Sequence, residues 1–245
     1  MLGGAPTFTL FETLRLSSGV YALRGAHEAR LQATAEWLRF PFDSDSAACA
    51  LDAAAATAGP SGDWRVRLDL DTRGVFTATV APLLKPFSEP KTWLRNTPLD
   101  GSDPIYRVLL LRRAVRRDDS RLYSKTSDRR CYDEPRTAAI NSWASAAIGR
   151  SPTDIFDVLF SNEKDEITEF CVGNVVIQGD EASVLLTPPV AAGLLAGVLR
   201  NALIAGGNVV ERVLTPHDIF SARAVWLVNG LRGWVRVVVE ETPPL

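Results

Sequence analysis

The sequence predicts an α+β fold of two domains, and three observations support this prediction. The chain has 245 residues, 46% of them hydrophobic, which is enough for one large domain or two modest ones. Strand-like alternation and helix-like periodicity of apolar residues both recur along the chain. Residues 96–104, NTPLDGSDP, are dense in Pro, Gly, Asp and Ser, as is typical of a linker. We therefore expect a small N-terminal domain over residues 1–95, this linker, and a larger C-terminal domain over residues 105–245, with a ligand cleft between the domains.

The composition argues against several classes of protein. The 27 basic and 29 acidic residues leave a net charge of −2, so disorder is not expected and no nucleic-acid or membrane partner is indicated. No unbroken apolar stretch reaches the roughly 18 residues of a membrane helix, and the N-terminus lacks a secretory pattern, which favours a cytoplasmic protein. Three scattered cysteines and two histidines, His27 and His217, predict neither a disulfide framework nor a metal site.

Two hairpins and two helices are predicted in the first ninety residues. The strands are recognised by β-branched and aromatic residues or by alternation of apolar and charged residues, and the turns between them by Ser and Gly. The helices are recognised by apolar residues at helical spacing and by a proline after the last turn. In chain order we expect strands 7–16 and 20–23, helices 24–39 and 47–58, and strands 64–71 and 75–80.

The second half of the chain mixes longer helical patterns with short strands. Two helices are expected first, one over Tyr106–Arg117 with an arginine-rich face and one over Ser127–Ile148 that Pro135 would kink or restart. Short strands, a third helix and two terminal strands follow. The expected strands are 155–161, 166–168, 173–178 and 183–186, the helix is 192–205, and the terminal strands are 224–228 and 234–239.

Two of the segments contain side chains suited to amine chemistry. Lys125 is one of four lysines, and a lysine in an apolar cleft near other cations has a lowered amine pKa and can act as a nucleophile. Glu169 is expected at a strand end, and a carboxylate opposite a pyridine ring would keep the ring nitrogen protonated. Each residue by itself is more typical of a solvated surface than of a catalytic site.

Two further segments are suited to binding a phosphate. Gly193 and Gly197 precede a helical run that ends at Arg200, and a glycine-rich helix entry presents backbone N–H groups and the positive end of the helix dipole. Arg30 lies one turn along its helix from His27 and could place a guanidinium on the same phosphate. Tight helix packing and a surface ion pair are the ordinary alternatives.

Taken together and in order, these segments resemble the fold-type IV pyridoxal-phosphate enzymes, which include branched-chain and D-amino-acid aminotransferases and aminodeoxychorismate lyase. The resemblance spans Phe8 to Val237. It implies a D-amino-acid aminotransferase-like fold with a small N-terminal α/β domain and a larger barrel-like C-terminal α/β domain. The matching segments are FETLRL (11–16), HEARLQATAEWLRFP (27–41), SKTSDRRCYD (124–133), ITEFCVGNVV (167–176) and LLTPPVAAGLLAGVLR (185–200).

The resemblance also implies the cofactor, pyridoxal 5′-phosphate, and a role for individual residues. Lys125 would bind the cofactor covalently and move the proton, and Glu169 would pair with the pyridine nitrogen. Arg30, the amides of Val198 and Leu199, and the loop at Gly230 would bind the phosphate. The remaining expected cofactor residues are Tyr132, Asn174 and Gly197, and the expected substrate residues are Thr13 and Arg107.

Within the group, two features are similar to the lyase. They are Lys125-Thr126 followed by Tyr132-Asp133, and the run Asn229–Gly233, which resembles an Asn-Ser-Leu-Arg-Gly loop. The lyase would convert 4-amino-4-deoxychorismate to 4-aminobenzoate and pyruvate in folate biosynthesis. A branched-chain or D-amino-acid aminotransferase is the alternative.

Two departures from the family pattern leave a second alternative open, a non-catalytic binding paralogue. Arg130 stands where the transaminases have a tyrosine, and Gly230 stands where the family has a hydroxyl residue.

The family further implies a homodimer. Residues 107–136 hold ten basic and five acidic side chains, an excess suited to steering a substrate with two carboxylates.

Overall fold

Residues 7–83, 90–94, 104–179 and 184–243 are described by the computed structural model of the chain. They form two units. The first unit comprises the described residues up to Pro90 and two later segments, Ser124–Asp128 and Gly230–Arg232; the second unit comprises the others. Of the predicted linker only Pro104 lies within the described residues, so the boundary at 96–104 stays a prediction.

The first unit contains a four-stranded antiparallel sheet in the order β2-β1-β3-β4. Along β1, Leu10, Leu14 and Leu16 are fully buried and face the same side, because alternate residues of a strand share a face. Both predicted hairpins are confirmed. The strands are β1 (Leu10–Ser17), β2 (Val20–Tyr21), β3 (Asp63–Leu70) and β4 (Phe76–Pro82).

Two helices cover the apolar face of this sheet: α1 (Arg24–Leu38) and α2 (Ser44–Ala58). The Asp43 side chain caps α2 by accepting a hydrogen bond from the Ser46 N–H at 2.9 Å, which satisfies an amide that has no partner within the helix. The core between sheet and helices contains Leu31 and Ala35 of α1 and Leu51 of α2. Both predicted helices are confirmed to within three residues at each end.

The second unit is built on an eight-stranded sheet in the order β10-β9-β8-β11-β12-β5-β6-β7. Strand β7 also pairs with β8, and this pairing closes six of the strands into a ring. The barrel-like domain that the resemblance implied is therefore confirmed. The strands are β5 (Tyr106–Val115), β6 (Asp157–Asn162), β7 (Ile167–Phe170), β8 (Gly173–Gln178), β9 (Leu185–Thr187), β10 (Val209–Glu211), β11 (Ala224–Asn229) and β12 (Gly233–Glu241).

Three α-helices belong to the second unit: α3 (Arg130–Ser145), α4 (Val198–Ala205) and α5 (Pro216–Ser221). Helix α3 continues through Pro135, which has no N–H and so removes the one backbone bond that would reach the Cys131 carbonyl. Tyr132, Ala139 and Trp143 of α3 pack into a core that includes Phe160 of β6.

Two of the sequence-based element predictions are wrong. Residues 106–115 form strand β5, where we predicted a helix over Tyr106–Arg117. Four consecutive residues, Val108–Leu111, are buried because both faces of β5 are covered: Leu109 and Leu111 pack in a core with α3, and Val108 and Leu110 are buried on the opposite face. A short apolar run of this kind has no period that separates strand from helix. The helix predicted over Ala192–Ala205 begins only at Val198, because residues 193–197 form an irregular segment in which Gly193 has a φ of 100°.

The structure contains, within the described ranges, no helix that is both long and apolar enough to cross a membrane.

The burial of β5 on both faces can be tested by truncating consecutive residues. We expect Leu109→Ala and Leu110→Ala each to lower the free energy of unfolding by about 2–5 kcal/mol, because both side chains are at most 1% exposed and each truncation leaves a cavity. Urea unfolding would measure both. Val238→Ala on the neighbouring strand β12 is the control, since Val238 is 49% exposed and should cost less than about 1 kcal/mol. A large loss for one leucine only would contradict the two-sided burial.

Candidate active site

The segment that carries Lys125 lies alongside β1 in the first unit. The Phe11 N–H donates to the Lys125 carbonyl at 3.0 Å, the Ser127 N–H donates to the Thr9 carbonyl at 2.8 Å, and Leu10 forms an antiparallel bridge with Thr126. The segment thus adds a short extended stretch to the edge of β1 that β2 leaves uncovered. The Lys125 ammonium lies 4.6 Å from the centre of the Phe11 ring, which places this amine over an aromatic face.

Arg30 and His27 of α1 both contact one carboxylate of β1. Glu12 accepts from Arg30 Nε at 2.7 Å through Oε1 and from Arg30 Nη2 at 2.6 Å through Oε2. His27 Nδ1 lies 2.7 Å from Glu12 Oε2. Since an ionised carboxylate can only accept, the ring proton of His27 belongs on Nδ1. The structure therefore places Arg30 in a buried network that also contains Glu12 and His27.

The network controls the ionisation of its members. Burial by itself would raise the pKa of Glu12, but the charge of Arg30 and the hydrogen bonds from His27 and Arg30 outweigh it and lower the pKa to about 2. Burial lowers the pKa of His27, and the hydrogen bond and charge of Glu12, which raise it, are outweighed by burial together with the nearby charges of Arg30 and Lys125. Near neutral pH, Glu12 is thus an anion beside a neutral imidazole and a cationic guanidinium.

In the second unit, Glu169 of β7 is the centre of a cluster of hydrogen bonds. Its Oε1 accepts from the Tyr132 hydroxyl at 2.7 Å and from the Leu195 N–H at 2.8 Å, and its Oε2 accepts from Asn174 Nδ2 at 3.0 Å. Asn174 is the direct neighbour of Glu169 in the register of β7 and β8. Burial and the Glu169 charge raise the pKa of Tyr132 well above its usual value, so the phenol stays protonated and donates. These donors fix a carboxylate that is 4% exposed.

Gly197, Val198 and Leu199 are positioned by the entry to α4. Gly197 is the residue before the helix and offers no side-chain cap to it, so the first-turn amides of Val198 and Leu199 receive no hydrogen bond from that position. A Cβ on Gly197 would lie 1.9 Å from Asn174 Oδ1, far inside contact distance. Glycine is therefore required where α4 begins beside the Glu169 cluster.

The other three predicted residues are Arg107, Thr13 and Gly230. Arg107 is ion-paired with Glu240 at 2.7 Å and half-exposed. Thr13 lies opposite Arg67 in the β1–β3 register, and Gly230 lies in the turn between β11 and β12.

The excess of positive charge predicted over residues 107–136 is partly neutralised by acids from elsewhere in the second unit. Arg112 pairs with Asp165, Arg117 with Glu163 at 3.2 Å, and Arg136 with Asp157 at 3.2 Å.

Three groups in the hydrogen-bond networks of Glu12 and Glu169 were not predicted from the sequence. They are Glu12, the imidazole of His27 as its partner, and the Leu195 amide. Glu12 was detectable, because it lies in phase with Leu10, Leu14 and Leu16 and so stands as an acid in a run of core-facing positions. The Leu195 amide carries no signal in the sequence, since every residue other than proline has one.

The residues present fit pyridoxal phosphate. Glu169 supplies a buried carboxylate suited to a protonated ring nitrogen, Lys125 supplies a primary amine, and Arg30 supplies a guanidinium suited to phosphate. Val198 and Leu199 supply first-turn amides at the N-terminus of α4, which receive no side-chain cap from Gly197 and are suited to an anion. The donor set of each unit is thus chemically appropriate to the cofactor.

Comparisons with known proteins agree with this assignment. The model of the amino-transferase class IV family matches residues 9–239. A protein from Mesorhizobium loti, provisionally named an amino-acid aminotransferase, is 30% identical with a TM-score of 0.75, and the alignment covers 95% of this chain and 100% of that one. No curated protein matches the chain significantly.

Two other solved structures, both under 25% identical, share the fold. A Legionella pneumophila protein provisionally named a 4-amino-4-deoxychorismate lyase is 24% identical with a TM-score of 0.69, over 94% of this chain and 82% of that one. A hypothetical aminotransferase from Mycobacterium tuberculosis, with α-ketoglutarate and PMP bound, is 23% identical with a TM-score of 0.70. The alignment covers 97% of this chain and 83% of that one.

The fold and the chemistry of the site define a fold-type IV pyridoxal-phosphate enzyme. The chain belongs to the amino-transferase class IV family, whose members depend on pyridoxal phosphate.

The requirement for glycine at position 197 can be tested directly. We expect Gly197→Ala to displace the Asn174 side chain from Glu169 and to lower the free energy of unfolding by about 1–3 kcal/mol. Thermal and urea unfolding would measure the loss. Gly25→Ala is the matched control, because a Cβ there meets nothing within 4 Å and the position is helical. Equal stabilities of the two variants would refute the steric argument.

The lowered pKa of Glu12 predicts an acid-sensitive contribution to stability. The folded pKa of about 2 lies below the ordinary glutamate value of 4.5, so this contribution is present above pH 4.5 and is lost as the pH falls towards 2. It amounts to about 3 kcal/mol at most. We expect the stability difference between the native chain and Glu12→Gln to shrink across this range, as measured by urea unfolding at each pH. A difference that is constant from pH 5 to pH 2 would show that Glu12 does not titrate as argued.

Proposed function

We propose that the chain is a pyridoxal-phosphate-dependent lyase that converts 4-amino-4-deoxychorismate to 4-aminobenzoate and pyruvate. The observation that carries the cofactor assignment is the buried Glu169 carboxylate, which is held by Tyr132, Leu195 and Asn174 in a fold whose family uses this cofactor. The choice of the lyase rests on the pairs Lys125-Thr126 and Tyr132-Asp133 and on the Asn229–Gly233 loop. The Legionella pneumophila neighbour shares the fold and bears the corresponding name.

Each residue of the site has a proposed task. Lys125 would hold the cofactor through Nζ and would take the proton from the amine-bearing carbon of the substrate. Glu169 keeps a proton on the ring nitrogen, and Tyr132 and Asn174 hold Glu169 in place. The phosphate is bound by Arg30, by the amides of Val198 and Leu199 beside Gly197, and by the loop at Gly230.

When bound, the cofactor supplies an electron sink for the carbon that loses the proton. Loss of that proton together with pyruvate turns the substrate ring into an aromatic one, which makes the elimination strongly favourable. Lys125 Nζ is the group that accepts the proton, so a primary amine at this position is required for turnover. Thr13 and Arg107 stay predicted substrate contacts, and a homodimer in the cytoplasm stays a prediction.

A second candidate is an aminotransferase on the same fold. The Mesorhizobium loti protein, which is 30% identical over nearly the whole chain and is provisionally named an amino-acid aminotransferase, favours it. A transaminase requires a 2-oxo acid to accept the amino group in a second half-reaction, whereas the lyase requires none. The dependence on an acceptor therefore separates the two candidates.

The experiment is a product assay on the purified protein with pyridoxal phosphate and 4-amino-4-deoxychorismate, without an amino acceptor. We expect release of 4-aminobenzoate and pyruvate, and a loss of about a thousandfold or more in Lys125→Ala because the proton acceptor is removed. Lys164→Ala is the matched control, since Lys164 lies in the exposed turn between β6 and β7.

Three other outcomes have definite meanings. Product formed only when a 2-oxo acid is supplied, from an amino acid donor, would establish the aminotransferase. No product and no visible absorbance from bound cofactor would establish the non-catalytic paralogue. Full activity in Lys125→Ala would overturn the role of the lysine.

A further inference from the structure

The carboxylate of Glu12, which has no role in the proposed function, accepts two hydrogen bonds from the guanidinium of Arg30. We propose that Glu12 is a positioning residue that fixes the direction in which Arg30 presents its guanidinium to the cofactor phosphate. This inference rests on the proposed function, in which Arg30 is a phosphate ligand.

The geometry of the pair restricts the guanidinium. Glu12 receives two nearly equal bonds, from Nε at 2.7 Å and from Nη2 at 2.6 Å, so it meets the side edge of the guanidinium. Two parallel bonds hold both the position and the plane of the group, which one bond would not do. The Nη1 corner is thereby turned away from Glu12, and a phosphate bound by Arg30 would meet the guanidinium on that side.

His27 holds Glu12 from a third direction. Its Nδ1 proton is donated to Glu12 Oε2 at 2.7 Å, and both Glu12 and His27 are at most 2% exposed. His27 and Arg30 are three residues apart on α1, so both project from one side of the helix towards the same strand. The carboxylate is thus fixed by two groups of α1 and cannot turn without losing one of them.

The stability that ionised Glu12 contributes relative to its protonated form does not explain why an acid rather than an apolar residue stands at this position. Glu12 is in phase with Leu10, Leu14 and Leu16, which belong to the apolar core of the first unit. A buried ion pair is costly to desolvate, and replacing such a pair by apolar residues of similar size is often neutral or stabilising. What the acid provides that an apolar residue would not is a fixed guanidinium.

A fixed guanidinium binds an anion more tightly than a mobile one. An arginine side chain loses much rotamer freedom on binding, and a pair that has already restricted it removes that cost from the binding step. Removing Glu12 should therefore weaken binding of the phosphate in particular, while ligands without a phosphate should be unaffected. This selectivity separates positioning from a general structural role.

The experiment compares two probes, pyridoxal phosphate and pyridoxal, by titrating the purified full chain and following visible absorbance and tryptophan fluorescence. We expect Glu12→Gln to weaken binding of pyridoxal phosphate by about tenfold or more, the size of effect seen when a supporting partner of a ligand-binding residue is lost, and to leave pyridoxal within about twofold. In an Arg30→Ala background, Glu12→Gln should then change neither affinity, because Glu12 acts through Arg30.

The matched control is Asp63→Asn. Asp63 pairs with the buried Arg15 of β1 in the same sheet, with 2.9 Å between Arg15 Nη2 and Asp63 Oδ1, so it reports the general effect of losing a carboxylate there. We expect it to leave the preference for the phosphate unchanged. Thermal unfolding of each variant establishes that the compared proteins are folded.

Several results would overturn the proposal. The first is an unchanged preference for pyridoxal phosphate over pyridoxal in folded Glu12→Gln, and the second is an equal loss of affinity for both probes. The third is a double variant in which Glu12→Gln and Arg30→Ala each lower the affinity independently, so that their effects add. If Glu12→Gln does not fold, Glu12→Asp serves instead: it keeps the charge but shortens the reach, and it must lower the preference for the phosphate. A native chain that shows no preference for the phosphate over pyridoxal would instead refute the proposed function itself.

Discussion

The cost of burying a carboxylate inside a sheet shapes both halves of this protein. Glu12 and Glu169 are each at most 4% exposed, and each stands on a strand among apolar neighbours. A buried anion is tolerated only when donors surround it, so each unit has to bring several donors from other elements to one point. In the first unit they come from α1, and in the second from α3, β8 and the segment before α4.

Closure of the barrel is what makes the second group of donors possible. Pairing of β7 with β8 sets Glu169 directly beside Asn174, and the same pairing completes the ring of six strands. The side chain of Asn174 also donates to the Leu195 carbonyl at 2.9 Å, which ties the segment before α4 to the sheet. The contacts that hold the Glu169 carboxylate and those that place the segment before α4 therefore share residues, and neither set can change without the other.

Membership of the class IV aminotransferase family explains why the same scaffold supports two candidate reactions. Both reactions begin with removal of a proton from an amine-bearing carbon, and both need a base, a partner for the ring nitrogen and a phosphate anchor. These needs are met by Lys125, Glu169 and Arg30 in the proposed assignment. The two reactions diverge only after the proton transfer, at a step that depends on the substrate. The cofactor residues are therefore common to both reactions, and the need for an amino acceptor is the property that separates them.

The sequence by itself determined most of the helices and strands and the family. Strand alternation, helical spacing and ordered motifs are local patterns, so they can be recognised in the sequence without the structure. The sequence also identified Lys125, Glu169 and Arg30 as residues of interest. Only the tertiary structure decided that residues 106–115 are a strand, since a strand that is buried on both faces is apolar at consecutive positions and has no readable period. The tertiary structure also decided that Glu12 pairs with Arg30 and that the Leu195 amide donates to Glu169. These hydrogen bonds join residues 18 and 26 positions apart, so they depend on how the elements pack, which no local sequence pattern indicates.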